Sequence, residues 1–187
     1  IVNKKISEDD IVSTAGLILN SGIKNLRLYF MIGLPEEKIE DAAGIVSLVR
    51  KIRERSDKGK IIMSISIFVP KPFTPFQWHG MESICSIKEK LKLLKKEALN
   101  LKNVKIFHDA PKYAYMQGLF SMGDRRITKV IEHMAETDDF SRACIEAGIN
   151  IDYYIFRNKA FDEMLPWGFI ECGFTKEHLW REYEDAM

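Results

Sequence analysis

The sequence predicts an α/β protein with parallel strands in its first part and mostly helices in its second. Segments with apolar residues at helical spacing alternate with short β-branched and aromatic stretches as far as Phe107. Such alternation is typical of parallel strands joined by right-handed crossovers. After His108 the helical spacing continues with little strand signal. We therefore expect an open or closed α/β barrel arrangement over residues 1–103 and a mostly helical extension over residues 104–187.

The amino-acid composition and the N-terminal residues indicate the cellular environment of the protein and the partners that its charge does not favour. The 28 basic and 27 acidic residues leave a net charge of +1, so no global charge favours nucleic acids or anionic membranes. The longest apolar run, Ile61 to Val69, is only as long as a strand and predicts no membrane span. Three dispersed cysteines favour a reducing compartment, and we expect a cytoplasmic protein. Because the chain begins with Ile1 directly before a helix signal, we also expect a truncated portion of a longer protein.

Capping residues and apolar spacing predict the first elements. Ser7 and the acidic residues after it resemble a capping box for a helix that stops at Ser21-Gly22. The apolar stretch from Asn25 to Ile32, ended by Gly33, suits a buried strand. Apolar positions between Ala42 and Ile52 predict the next helix, whose first turn is expected to hold Glu36, Glu37, Glu40 and Asp41 because the helix dipole favours negative charge there.

Apolar spacing also predicts the elements that follow residue 60. Ile61 to Val69 is the second strand, and a helix with near-heptad apolar spacing follows from Ile84 to Leu101. Its lysines at 88, 92, 95 and 96 are expected on a solvated face. Val104 to Phe107 is a third short strand, and the chain is expected to end in a helix that begins at Thr175 and packs through Leu179, Trp180 and Tyr183.

Two loops occupy the strand ends at which α/β proteins place their ligand sites. The first is Met31 to Glu37, in which Gly33 permits close backbone approach and Pro35 fixes the exit direction. A plain strand-to-helix turn explains it equally well. The second loop, Phe68 to Trp78, is stiffened by prolines and could present aromatics, an amide and a cation to a planar ligand. Its alternative is a hydrophobic plug that closes the end of a barrel.

Both loops resemble motifs of one enzyme family. The run Leu28 to Pro35, with Glu37 and Glu40-Asp41 after it, is similar to the fifth-strand signature of radical S-adenosylmethionine proteins, especially the branch with an N-terminal cobalamin-binding domain. The Phe-Val-Pro-Lys-Pro-x-Thr-Pro-Phe-Gln-Trp run resembles the sixth strand and its loop in that branch. Further similarity lies in Gly123 to Arg126, in Leu165-Pro166-Trp167 and in Glu182 to Ala186, so the resemblance covers nearly the whole chain.

The resemblance implies a fold and a set of cofactor contacts. It implies the second half of a partial (β/α)6 TIM-like barrel over residues 1–103, followed by the helical extension. The fifth-strand motif would lie against the adenine and ribose of S-adenosylmethionine, and Val69 and Pro70 of the sixth strand would contact the adenine side. The acid that matches the family glutamate is either Glu36 or Glu37, and we prefer Glu37. The implied contacts of the first loop are Ile32, Gly33, Leu34, Pro35 and Glu37.

The sequence departs from this family at the cluster motif. Cys-x-x-x-Cys-x-x-Cys is absent, and Cys85, Cys144 and Cys172 have the wrong spacing to replace it. We expect those three to be ordinary buried residues, with no metal site in this chain. The [4Fe-4S] cluster of the implied parent would be bound by a missing N-terminal part, cobalamin is possible in the parent, and no cofactor is expected to bind tightly to the fragment.

Two polar clusters have competing interpretations. His108-Asp109 could be an acid–base pair, but adjacent side chains diverge, so a loop cap is favoured. Asp124-Arg125-Arg126 could grip a phosphate or carboxylate, although a helix cap with salt-bridged arginines is favoured.

Taken with the resemblance, these patterns indicate a fragment of an iron–sulfur oxidoreductase of unknown substrate, inactive alone and with no assignable catalytic residue. The alternative is a non-catalytic α/β binding or assembly module. An unpaired edge at the Leu26–Ile32 strand predicts that the fragment self-associates.

Overall fold

A computed structural model describes residues 5–187. The chain divides into two compact units. The first unit holds the residues up to Ile67 together with Ile84–Asp109, and the second holds Phe68–Ser83 and Ala110–Met187. The segment Phe68–Ser83 therefore leaves the first unit between its second strand and its third helix. The third strand, which the predicted boundary places in the extension, pairs inside the first unit.

The first unit alternates helices and strands as the sequence predicts. Helix α1 spans Glu8–Asn20, and its N-cap Ser7 accepts a hydrogen bond from the backbone N–H of Asp10. The other elements of this unit are β1 (Asn25–Ile32), α2 (Ile39–Arg55), β2 (Lys60–Ile67), α3 (Ile84–Ala98) and β3 (Val104–His108). Each helix buries one apolar face, such as Ala42, Val46, Val49 and Ile52 of α2, and burial of such a face is what stabilises a helix of this length.

The three strands form one parallel sheet in the order β1-β2-β3. Leu28 of β1 lies opposite Met63 of β2, and Met63 lies opposite Ile106 of β3. The mixed α/β class and the parallel strands that the sequence predicts are therefore confirmed. Every position from Ile61 to Ile67 in the phase of Met63 is buried, so this face of the sheet lies against the core.

The opposite face of the sheet is open. Tyr29 is 76% exposed, and Arg27, Met31 and Phe107, which share its phase on the two outer strands, are exposed as well. On this face Arg27 donates a hydrogen bond to the hydroxyl of Ser64 at 3.1 Å. Parallel sheets in proteins are normally covered on both faces, so an apolar and aromatic face left open in this unit is an unusual feature.

The second unit is helical. After a short 3₁₀ helix at Pro75–Trp78 come α4 (Pro111–Met122), a 3₁₀ turn at Arg125–Ile127, α5 (Thr128–Thr137), α6 (Phe140–Glu146), α7 (Ile151–Ile155) and α8 (Lys176–Ala186). Thr175 is the N-cap of α8, as the sequence predicts, and accepts a hydrogen bond from the backbone N–H of His178. A tryptophan-rich core joins the two segments of this unit: Trp78, Met122, Leu165, Trp167 and Leu179, with Phe73, Trp180 and Tyr183 packed against them.

Within residues 5–187 no helix combines the length and the apolar character that a membrane crossing requires.

Candidate functional site

The candidate site is the loop that connects β1 to α2, at the carboxyl end of an edge strand. Gly33 adopts a φ of +80° and Glu36 a φ of +58°, and left-handed backbone at two positions lets the chain reverse direction within a few residues. Helix α2 begins only at Ile39, where Asp41 accepts a hydrogen bond from the Lys38 N–H. Glu36 and Glu37 therefore precede the helix, and their predicted place in its first turn is wrong.

Glu37 folds back onto the strand end. One carboxylate oxygen lies 3.1 Å from the backbone nitrogen of Gly33, and the other lies 3.4 Å from that of Leu34. The side chain is only 8% exposed. Glu36, the other acid that the sequence leaves open, is exposed. Since two N–H groups are donated to one carboxylate, Glu37 fixes the shape of the loop.

Lys90 of α3 forms a buried ion pair with Glu37. Its Nζ lies 2.8 Å from a carboxylate oxygen of Glu37 and 2.9 Å from the backbone carbonyl oxygen of the same residue. The Lys90 side chain is 2% exposed, and a buried ammonium group is costly unless it is paired in this way. Lysine 90 was not predicted from the sequence. Its signal is that it shares a helical stripe with Ile87, Leu91 and Leu94 and so occupies a core position.

The predicted cofactor contacts in the first loop differ in their solvent exposure. Ile32, Gly33 and Pro35 are buried, whereas Leu34 is half-buried. The side chain of Ile32 belongs to the covered phase of the sheet, with 0% exposure. Because the Gly33 and Leu34 N–H groups bind Glu37, this loop can offer a ligand the Leu34 side chain and backbone carbonyl groups.

The second predicted loop belongs to the second unit. Val69 is half-buried and Pro70 is buried. Trp78 is a core residue with 0% exposure, and the oxygen of Gln77 accepts a hydrogen bond from the indole of Trp167. Lys71 donates to the hydroxyl of Ser121 at 2.8 Å, and burial lowers its pKa. The large side chains of this loop therefore pack in the interior of the second unit.

Both polar clusters make local hydrogen bonds, and of the two Asp124 is an N-cap. The imidazole Nδ1 of His108 lies 2.8 Å from the backbone oxygen of Asp109 and is not paired with its carboxylate. Asp124 accepts a hydrogen bond from the Arg126 N–H and forms an ion pair with its guanidinium. These bonds to Arg126 hold the pKa of Asp124 at about 2, as expected for a carboxylate that accepts several charged donors.

The cysteines are not the uniform set of buried residues that was predicted. Cys144 is buried, whereas Cys85 is exposed and Cys172 is intermediate. In the described part of the chain no three His, Cys, Asp or Glu side chains are grouped so that they could hold a metal ion.

The comparisons with known proteins give one distant relative. No protein-family model matches the chain, and no solved structure matches it. Over 132 residues, 71% of this chain, the sequence is 28% identical to uncharacterized protein MJ0966 of Methanocaldococcus jannaschii. The match covers 29% of that protein, so the chain spans less than a third of the length of this relative. The chain is therefore similar to part of a longer, uncharacterized archaeal protein.

Proposed function

We propose that this chain contributes strands five and six, as β1 and β2, to the partial barrel of a radical S-adenosylmethionine enzyme of the iron–sulfur oxidoreductase type. The observation that carries the proposal is the loop after β1. A left-handed Gly33 follows a parallel strand, and Glu37 closes the loop by binding the Gly33 and Leu34 N–H groups. A rigid loop at the carboxyl end of a parallel strand is where α/β enzymes hold their ligands.

The open sheet face supports the barrel in this proposal. Arg27, Tyr29 and Phe107 on one face of the sheet are exposed, and β1 is an edge strand in the described sheet. In a barrel the uncovered face becomes the interior and the edge pairs with a preceding strand. The exposed face and the free edge of β1 are therefore the surfaces that the second half of a barrel would present to the first half.

The residues fit one of the two implied cofactors. For S-adenosylmethionine, Leu34 would supply apolar contact and the loop carbonyls would accept hydrogen bonds, while the buried Glu37–Lys90 pair keeps the loop in place. When bound, this cofactor supplies a sulfonium that a reduced cluster can cleave. The described cysteines do not fit the cluster, because no grouping of ligands is present among residues 5–187. Cluster ligands, and any cobalamin, would come from another part of the parent protein.

A non-catalytic α/β module remains the second candidate, and one observation favours it. The two N–H groups that could reach a ligand are already satisfied by Glu37. A strand-to-helix turn that serves only the core would satisfy its donors in the same way.

The test uses the protein encoded by the complete open reading frame, reconstituted anaerobically with iron and sulfide. We expect Cys-x-x-x-Cys-x-x-Cys upstream of this chain, and we expect the loaded protein to bind S-adenosylmethionine and to release 5′-deoxyadenosine after reduction. Leu34→Asp should weaken S-adenosylmethionine binding by about ten-fold or more, because it buries a charge against the cofactor.

Leu99→Asp is the matched control. Leu99 is as apolar as Leu34 but 85% exposed, and it follows α3 on the way to the amino end of β3. Its substitution should leave cofactor binding unchanged. A complete reading frame without the cysteine motif, or a loaded protein that does not bind the cofactor, would favour the non-catalytic module. Normal binding by Leu34→Asp would show that the cofactor is bound elsewhere.

A further inference from the structure

The second unit contains a cavity that the proposed function does not use. Its volume is about 600 Å³, which lies in the range of small-molecule sites. The walls are mostly apolar and aromatic and include Phe73, Leu165, Trp167, Phe169, Ile170 and Phe174. Met164 at the cavity is 93% exposed. An apolar cavity of this size that remains accessible from solvent has the general properties of a ligand site.

One polar side chain in the cavity wall has an unused donor. Gln77 is 3% exposed, and its Oε1 accepts hydrogen bonds from the Trp167 indole at 2.6 Å and from the Phe73 N–H at 3.2 Å. Because both partners are donors, the orientation of the amide is fixed. The Nε2 group has no acceptor among residues 5–187, and Gln77 is part of the cavity wall. Since both bonds of Gln77 to the protein use its oxygen, the Nε2 group is free to donate to a ligand in the cavity.

The carboxylate groups around the cavity are already paired, and Lys176 contacts no carboxylate. Asp124 is paired with Arg126, and Glu163 is paired with Arg157. The ammonium of Lys176 lies 3.4 Å from the backbone oxygen of Glu163 and 4.9 Å from the centroid of the Phe161 ring. A cationic ligand would therefore find no free carboxylate among these groups and would lose its hydration without compensation.

From these features we propose that the cavity binds a largely apolar, non-cationic small molecule that carries a carbonyl or similar acceptor, with the Nε2 group of Gln77 as its hydrogen-bond donor. The apolar walls supply the burial that drives binding, and the amide selects ligands with an acceptor at one position. The site lies wholly in the second unit and does not depend on the proposed radical chemistry.

The experiment compares two probes that differ only in the acceptor. A fluorinated benzophenone and the corresponding fluorinated diphenylmethane have nearly the same apolar surface, and only the first has a carbonyl group. Binding of each to the 187-residue chain is followed by fluorine NMR. We expect the ketone to bind about five-fold more tightly than the hydrocarbon, as one neutral hydrogen bond allows.

Two variants and one control make the test specific. Gln77→Glu, studied at about pH 8 so that the new carboxyl is ionised, keeps the oxygen that binds Trp167 and removes the amide donor. It should abolish the preference for the ketone, while the hydrocarbon still binds. Met164→Asp, at an exposed position where folding is not at risk, should weaken both probes by about five-fold or more. Leu99→Asp, in the first unit, should change neither.

Several outcomes would overturn the proposal. They are failure of both probes to bind the wild-type chain, equal affinity for the two probes, and a ketone preference that survives in Gln77→Glu. Sedimentation is measured on the same samples. A dimer that Met164→Asp dissociates would mean that a second copy of the chain covers the cavity, which would also refute a small-molecule site.

Discussion

Removing either partner of the buried Glu37–Lys90 pair should strongly destabilise the first unit. The atoms that form the pair are 2.8 Å apart, and the two side chains are 8% and 2% exposed. Truncation of one partner leaves the other charge buried without its counter-charge, which costs about 3–5 kcal/mol. We therefore expect Lys90→Met and Glu37→Gln each to lower the free energy of unfolding by about 3 kcal/mol.

The double variant separates the pair from its surroundings. In Glu37→Gln/Lys90→Met both charges are gone, and the glutamine oxygen can still accept the Gly33 N–H. The double variant should therefore be less destabilised than the sum of the two single variants, by about 2 kcal/mol. The assay is urea denaturation of the 187-residue chain followed by circular dichroism, with the four proteins measured at one pH and one ionic strength.

Lys51→Met is the matched control. Lys51 forms an ion pair with Glu8, but both side chains of that pair are about half exposed, and exposed ion pairs contribute little. This variant should unfold close to the wild-type midpoint. Single variants at Glu37 and Lys90 that behave like Lys51→Met, and that add without coupling, would refute the claim that the buried pair fixes the loop.

Four further predictions follow from individual residues. Burial lowers the pKa of Lys159 from 10.5 to about 8. Between these two pH values the unfolded chain binds one proton more than the folded chain, so the free energy of unfolding should rise as pH increases from about 8 to 10.5. Lys159→Met should remove this pH dependence in thermal melts. The pKa of Asp124 is depressed to about 2 by Arg126, so its contribution should be lost as pH falls from about 4 to 2, and Asp124→Asn should lose that part of the acid transition. Gly33→Ala should cost about 1 kcal/mol in urea denaturation, because Gly33 has a φ of +80°; no loss would contradict the left-handed turn. The edge strand and open face of the sheet predict self-association, which Tyr29→Lys should reduce in sedimentation velocity; a monomer at all concentrations would contradict it.

The sequence by itself determined the local elements of this protein. Ser7 and Thr175 begin helices because their hydroxyl groups accept the free N–H groups of a first turn, and that chemistry depends on a few neighbouring residues. Alternation of helical and strand-like apolar patterns was sufficient for a parallel sheet, since only crossover connections fit that order. The aromatic tail was expected to pack through Leu179, Trp180 and Tyr183, because Tyr183 lies four positions after Leu179 and three after Trp180 and so shares a helix face with each.

The tertiary structure alone decided which polar groups meet. Glu37 and Lys90 are 53 positions apart, and nothing local to either residue indicates that α3 carries its lysine to the end of β1. Gln77 and Trp167, 90 positions apart, are brought together in the same way to form the wall of the cavity. Pairing of this kind depends on long-range packing. Because a buried charge or donor without a partner is costly, packing is favourable only where it brings a partner to that group.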